Sequence, residues 1–177
     1  VMTAVPVYPP FLSAPHFAGR ELLTVPLCLE GGRWCWDFER LEASVTPQTR
    51  LLLLCHPHNP VGRAWDQEEL VRLADFCRRH GLVVCSDEIH CDLVLDAGRP
   101  HVPLASLDED TARRSITLMS PSKTYNIPGL GCSLAIIPEA GRRRRFTQAM
   151  RGIVPHVNVL GLTAAEAACT DAEAWRE

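Results

Sequence analysis

An α/β domain with a mostly parallel sheet is the fold class this 177-residue sequence predicts, and three observations carry the prediction. Leu51–Cys55 is an unbroken apolar run of strand length, as expected of a strand buried on both faces. A helical pattern follows it, with Leu70, Leu73, Ala74 and Cys77 at i, i+3, i+4 and i+7. The alternation then continues, because Leu82–Cys85 and Ser115–Met119 read as further short strands.

In chain order, Val1–Val7 reads as a strand and Phe38–Ser44 as a helix between Asp37 and Pro47. Asp66 or Gln67 opens the helix after Leu51–Cys55, and Gly81 is placed to end it. Leu82–Cys85 runs directly into Ser86-Asp87-Glu88, and a Pro- and Asp-containing connection over 96–111 leads to Ser115–Met119. Gly131–Ile137 reads as a fourth strand stopped by Pro138, followed by helices over roughly 139–152 and 161–177. No repeat or low-complexity linker interrupts the pattern, so one domain, or most of one, is expected.

Composition narrows the function classes. A net charge of −3, with arginines scattered apart from Arg142–Arg145, supplies no basic face for nucleic acid, and that run reads as the solvated start of a helix. Eight cysteines without a C-x-x-C pair, in a chain large and apolar enough to need no staples, read as reduced, mostly buried thiols of a cytoplasmic protein. No leader pattern is visible, and no apolar run approaches the ~18 residues of a membrane span. Val1 precedes Met2, and the C-terminal helical pattern has no Gly or Pro stop, so a piece of a longer polypeptide is expected.

Open α/β sheets bind ligands beyond the carboxyl ends of their strands. Three such ends here carry polar residues: Asn59 within His56–Gly62, Asp87 within Ser86–His90, and Lys123 within Ser120–Lys123. A lysine desolvated at that rim has an amine available to attack carbonyls as a Schiff-base nucleophile. A buried aspartate can hold a protonated ring nitrogen, the role that pyridoxal phosphate requires, while hydroxyls and backbone amides hold its phosphate. Taken singly, the lysine also fits simple solvation, Asp87 an N-cap, and Asn59 a turn before Pro60.

Jointly, the segments Pro57-His58-Asn59-Pro60-Val61-Gly62, Ser86-Asp87-Glu88-Ile89-His90 and Ser120-Pro121-Ser122-Lys123-Thr124-Tyr125-Asn126 resemble the class I/II, fold-type I PLP-dependent aminotransferases. Asn59 and Asp87 lie 28 residues apart and Asp87 and Lys123 36, spacings that fit the large domain of that family. More narrowly, "SDEIH", "SKTYNIPGL" and "PVYPPF" are similar to the MalY/PatB-type cystathionine β-lyases, also called cysteine-S-conjugate β-lyases. The resemblance covers essentially the whole chain and implies that residues 1–177 are the central part of a PLP-binding large domain. The upstream phosphate loop and the C-terminal small domain with its carboxylate-binding arginine lie outside it, so this segment alone is expected to lack activity.

Carried over by position, the resemblance implies that Lys123 holds the cofactor as a Schiff base and then acts as base and acid at Cα. Asp87 would pair with the pyridinium, Asn59 would donate to the phenolic oxygen before a cis Asn59–Pro60 bond, Tyr8 would stack on the ring, and Ser120 and Ser122 would hold the phosphate. Two positions depart from the common aminotransferase pattern. His90 stands where many members have a tyrosine, which favours the lyase-like subgroup and keeps a hydrogen bond to the phenolic oxygen. Gly131 stands where a phosphate-pairing arginine or lysine is common. The function implied is cleavage of cystathionine or related L-cysteine thioethers to thiol, pyruvate and ammonia, by a cytoplasmic homodimer acting on a small amino acid, without nucleic acid or membrane. An aminotransferase is the alternative. From other classes, a PLP-fold regulator without turnover and a metal module of Cys55, His56, His58, His90 and Cys91 are also weighed, although the spacing of the latter matches no common zinc pattern.

Overall fold

β1 (Met2–Val5) is followed by α1 (Pro10–Phe17), β2 (Leu23–Pro26) and a hairpin of β3 (Cys28–Glu30) and β4 (Arg33–Cys35). Then come α2 (Phe38–Ser44), β5 (Leu51–Cys55), α3 (Gln67–Arg79) and β6 (Val83–Asp87). After 3₁₀ turns, α4 (Glu109–Arg114), β7 (Ser115–Met119), β8 (Leu134–Ile136), α5 (Ala140–Met150) and α6 (Val159–Thr170) complete the order. This computed structural model describes residues 1–96, 98–170, 172 and 174.

Six strands form one sheet in the order β2-β1-β5-β6-β7-β8. All neighbours are parallel except β7 and β8, so the sheet is mixed but mostly parallel, as predicted. The register of β5 on β6 runs from Leu51↔Val83 to Cys55↔Asp87, and β6 meets β7 through Asp87↔Leu118. The three central strands therefore end level with one another, which sets their following loops along one rim.

The core sits against the middle of this sheet. Leu52 and Leu54 of β5 pack with Leu70, Leu73, Phe76 and Cys77 of α3, together with Met2, Trp65 and Leu82. Helix α3 begins on a reciprocal cap, in which Asp66 accepts from the Glu69 N–H and the Glu69 carboxylate accepts from the Asp66 N–H. It ends before Gly81, whose φ of +64° is the left-handed conformation that favours glycine. Asp37 caps α2 over the predicted span.

Several expectations needed correction. The first strand narrows to Met2–Val5, the strand expected over 82–85 runs on through Asp87, and that over 131–137 shortens to Leu134–Ile136. Helix α1 was not anticipated, and Pro10 opens its first turn, where a missing N–H costs little. Helix α4, capped by Asp108, lies in the connection over 96–111 and beyond it. β2 and the β3–β4 hairpin are too short and half-polar to show a clear period. Of the helix expected over 161–177, α6 supplies 159–170, and positions 171, 173 and 175–177 lie outside the described residues. Arg143–Arg145 are exposed, in keeping with a solvated helix start. The cysteines are free, but only Cys55, Cys77 and Cys132 are buried, fewer than expected. Among the described residues no helix is long and apolar enough to cross a membrane.

Candidate active site

Backbone hydrogen bonds draw the rim together. The His56 N–H donates to the Asp87 carbonyl at 2.9 Å and the Glu88 N–H to the Leu118 carbonyl at 2.9 Å, tying the ends of β5, β6 and β7. The Tyr8 N–H donates to the Asn59 carbonyl at 3.0 Å, which brings the β1–α1 turn to the same place. His58 Nε2 donates to the Pro6 carbonyl at 2.8 Å and so fastens that turn a second time. Asn59–Pro60 is cis, as are Val5–Pro6 and His56–Pro57.

Asp87, the last residue of β6, is half-buried, and its only side-chain hydrogen bond among the described residues comes from the Ile89 N–H at 3.3 Å. Burial pushes its carboxyl above the usual aspartate range, while that N–H and the charge of His90 pull it down. Burial lowers the pKa of half-buried His90, with Asp87 opposing and Lys123 adding to the shift. His90 thus feels the charges of both Asp87 and Lys123. Lys123, the only lysine in the chain, is exposed rather than desolvated, because it stands in the turn beyond β7 instead of at the strand end itself.

The two serines are committed to each other. Ser120 Oγ donates to the Cys132 carbonyl at 2.6 Å, lies 2.6 Å from Ser122 Oγ, and accepts the Ser122 N–H at 3.1 Å. With the Ser120 proton on a carbonyl, the Ser122 hydroxyl donates to Ser120, so Ser122 is the one whose proton can turn to an anion at the loss of a single contact. Gly131, eight residues beyond Lys123, has φ +60° and forms the left-handed end of a 3₁₀ turn.

Asn59 and His90 line a cavity of about 710 Å³ with Arg33, Arg63 and Arg99 on its walls. Asp87 and Ser120 line a second one of about 500 Å³ against β8 and α5. Asn59 and His90 thus open onto one hollow and Asp87 and Ser120 onto another, Lys123 and Ser122 line neither, and half-exposed Tyr8 stands beside Asn59.

This donor set fits pyridoxal phosphate. Asp87 is a half-buried carboxylate without an ion pair among the described residues, as a cationic ring nitrogen requires, and the Asn59 amide makes no hydrogen bond among them. Lys123 offers a free amine, whereas the phosphate cradle is only partial. The residues weighed as a metal module are otherwise engaged: fully buried His56 takes the Trp65 N–H on Nδ1 and donates from Nε2 to the Val102 carbonyl, and buried His58 holds Pro6. No cluster of three or more ligating side chains occurs among the described residues.

Glu88, within the Ser86–His90 segment, has no role legible from the sequence, and His101 carries no sequence signal. Glu88 is buried and lies 2.7 Å from His101 Nε2 across a loop whose pattern carried no signal.

Comparison with known proteins places the chain in a family. The family model Aminotransferase class I and II matches residues 1–174. Cystathionine beta-lyase PatB of Bacillus subtilis (strain 168) is 42% identical over 177 residues, covering 99% of this chain and 46% of that protein. The crystal structure of OvoB is 50% identical with a TM-score of 0.96, over 99% of this chain and 46% of that one. Cystalysin from Treponema denticola, whose structure contains pyridoxal 5'-phosphate, is 36% identical with a TM-score of 0.94, over 99% of this chain and 45% of that one. The chain thus spans a little under half the length of these relatives. By sequence and fold alike, the chain belongs to the aminotransferase class I and II family.

Proposed function

We propose that the protein carrying this chain is a PLP-dependent carbon–sulfur β-lyase that cleaves cystathionine or a related L-cysteine thioether to thiol, pyruvate and ammonia. The observation that carries the reading is that the adjacent strands β5, β6 and β7 lead to Asn59, Asp87 and Lys123 along one rim, where His90 feels the charges of both Asp87 and Lys123. The similarity to cystathionine beta-lyase PatB supports the choice of lyase. In the same proposal, residues 1–177 are the central part of a large domain, and the whole protein is a cytoplasmic homodimer.

When bound, pyridoxal phosphate supplies an electron sink for the pair left on Cα. Lys123 would hold the cofactor covalently in the resting protein, and its free amine would take the Cα proton of the bound amino acid. Asp87 keeps the ring nitrogen protonated, and a cation at that position in turn favours the ionised carboxylate that burial disfavours. Asn59 and His90 would donate to the phenolic oxygen, Tyr8 would pack on the ring face, and Ser122, positioned by Ser120, would donate to the phosphate. The Cβ–S bond then breaks with its electron pair leaving on the thiolate, and water converts the remaining three-carbon fragment to pyruvate and ammonia.

An aminotransferase reading shares every step up to Cα deprotonation and is favoured by the family itself. The complete open reading frame, incubated with L-cystathionine and PLP, is expected to release pyruvate without any keto acid. Strict dependence on a keto-acid acceptor would overturn the lyase. Borohydride reduction is expected to attach the cofactor to Lys123, the sole lysine of this chain, and its absence there would overturn the site.

A further inference from the structure

On the side of the sheet away from Asp87, the same strand end carries a polar cluster that the proposed chemistry does not use. Side chains alternate along β6, so Ser86 and Glu88 project to one face while Asp87 projects to the other. Glu88 is only 1% exposed, and its carboxylate gathers three donors from three directions. Oε1 accepts from Ser86 Oγ at 2.8 Å and from the Leu104 N–H at 3.2 Å, and Oε2 lies 2.7 Å from His101 Nε2. The His101 ring in turn packs on His56 with centroids 4.3 Å apart. His56 has one tautomer open to it, because Nδ1 accepts the Trp65 N–H and Nε2 must donate to the Val102 carbonyl, so an uncharged ring lies against His101. The backbone of His56 also holds the Asp87 carbonyl, and three residues later the chain reaches Asn59.

We propose that Glu88 and His101 are a positioning pair for the cofactor site, setting Asp87 and Asn59 relative to each other. The proposal rests on the PLP reading above. By holding the side chain of residue 86 and the segment 101–104, the Glu88 carboxylate fixes the backbone on both sides of Asp87, whose own carboxylate has only one internal contact. Through His101 and His56 the same carboxylate reaches the strand end that carries Asn59. A buried carboxylate that accepts several hydrogen bonds is rigid, and groups that must meet a ring at two edges need a rigid frame. Glutamine at position 88 has the shape of glutamate but can offer only one oxygen. With its amide N–H₂ toward Leu104 it meets that N–H donor, and with it toward His101 the ring must move its proton from Nε2 to Nδ1, which has no partner, in order to accept.

The test uses the protein expressed from its complete open reading frame. Cofactor affinity is measured by fluorescence titration with PLP, and visible circular dichroism of the bound cofactor reports how its ring sits. Glu88→Gln is expected to weaken PLP binding by about tenfold, as the loss of one hydrogen bond to a charged group implies, and to change the sign or amplitude of the visible band. Ser86→Ala, a milder variant if Glu88→Gln does not fold, is expected to shift both in the same direction by less. Leu73→Ala, a core change in α3, serves as the control for general loss of stability, and it should lower the unfolding temperature while leaving the visible band as in wild type. Wild-type affinity and an unchanged band in Glu88→Gln or Ser86→Ala, or an equal change in Leu73→Ala, would overturn the positioning role while leaving the PLP reading intact. A wild-type protein without any PLP binding would overturn both.

Discussion

The two faces of the β6 end differ in how their polar groups are satisfied. Behind the sheet, Ser86, Glu88, His101 and His56 bind one another or nearby backbone, and Glu88 and His56 are buried almost completely. At the rim, Asp87 has a single contact, Asn59 has no side-chain partner among the described residues, and Lys123 is exposed. Buried polar groups must be paired to be tolerated, so the first set reads as frame. Polar groups left uncommitted at the ends of adjacent strands are the ones free to meet a ligand.

Changes at each face should separate these roles, and the largest effect belongs to the rim. Replacing Lys123 by Ala is expected to lower pyruvate release from cystathionine in the complete protein by roughly a thousandfold or more, the scale of losing a positioned acid and base. With the cofactor removed from both proteins, its unfolding temperature should stay near wild type, because an exposed side chain is removed. A large fall in stability would instead place Lys123 in the frame.

Leu73→Ala removes a fully buried side chain from α3 and should cost about 2–5 kcal/mol of stability in denaturant unfolding. A loss well below that range would mean that the core closes around the gap.

Acid probes the frame through His56, where burial first, and then the charge of His101, lowers the pKa to about 4. The unfolded chain takes up this proton near the ordinary histidine value of about 6.5, so it binds more protons than the folded chain between there and about 4. The contribution of His56 to stability is therefore intact above that window and is lost as pH falls through it, on the order of 3 kcal/mol in total. Unfolding free energies measured between pH 7 and pH 4 should show this decline, and His56→Gln should flatten it. A His56→Gln profile that follows wild type would remove His56 as the cause.

The smallest effect is expected at the entrance to α3, where Asp66→Ala removes one half of the reciprocal cap and should cost about 1 kcal/mol.

Much of the framework was legible before any coordinates. β5 and α3 have strong periods and clear start and stop residues, and Phe38–Ser44 was bounded correctly because Asp37 and Pro47 flank it. β2, the β3–β4 hairpin and α4 were missed, because three to six residues are too few for a period to emerge. The three rim residues were legible for a different reason: each lies at the end of an apolar strand or within four residues beyond it, and a parallel sheet sets such segments along one rim.

Local chemistry by itself determined which residues could form strands and helices, and which strand ends offered an amide, a carboxylate and an amine. Tertiary structure alone decided that β8 pairs antiparallel with β7, that Lys123 stands exposed in its turn, and that Glu88 meets His101. The physical reason is that strand and helix patterns repeat within a few residues along the chain. The partner of a buried carboxylate, by contrast, is set by how a loop folds back over the sheet, and no residue pattern within that loop records the meeting.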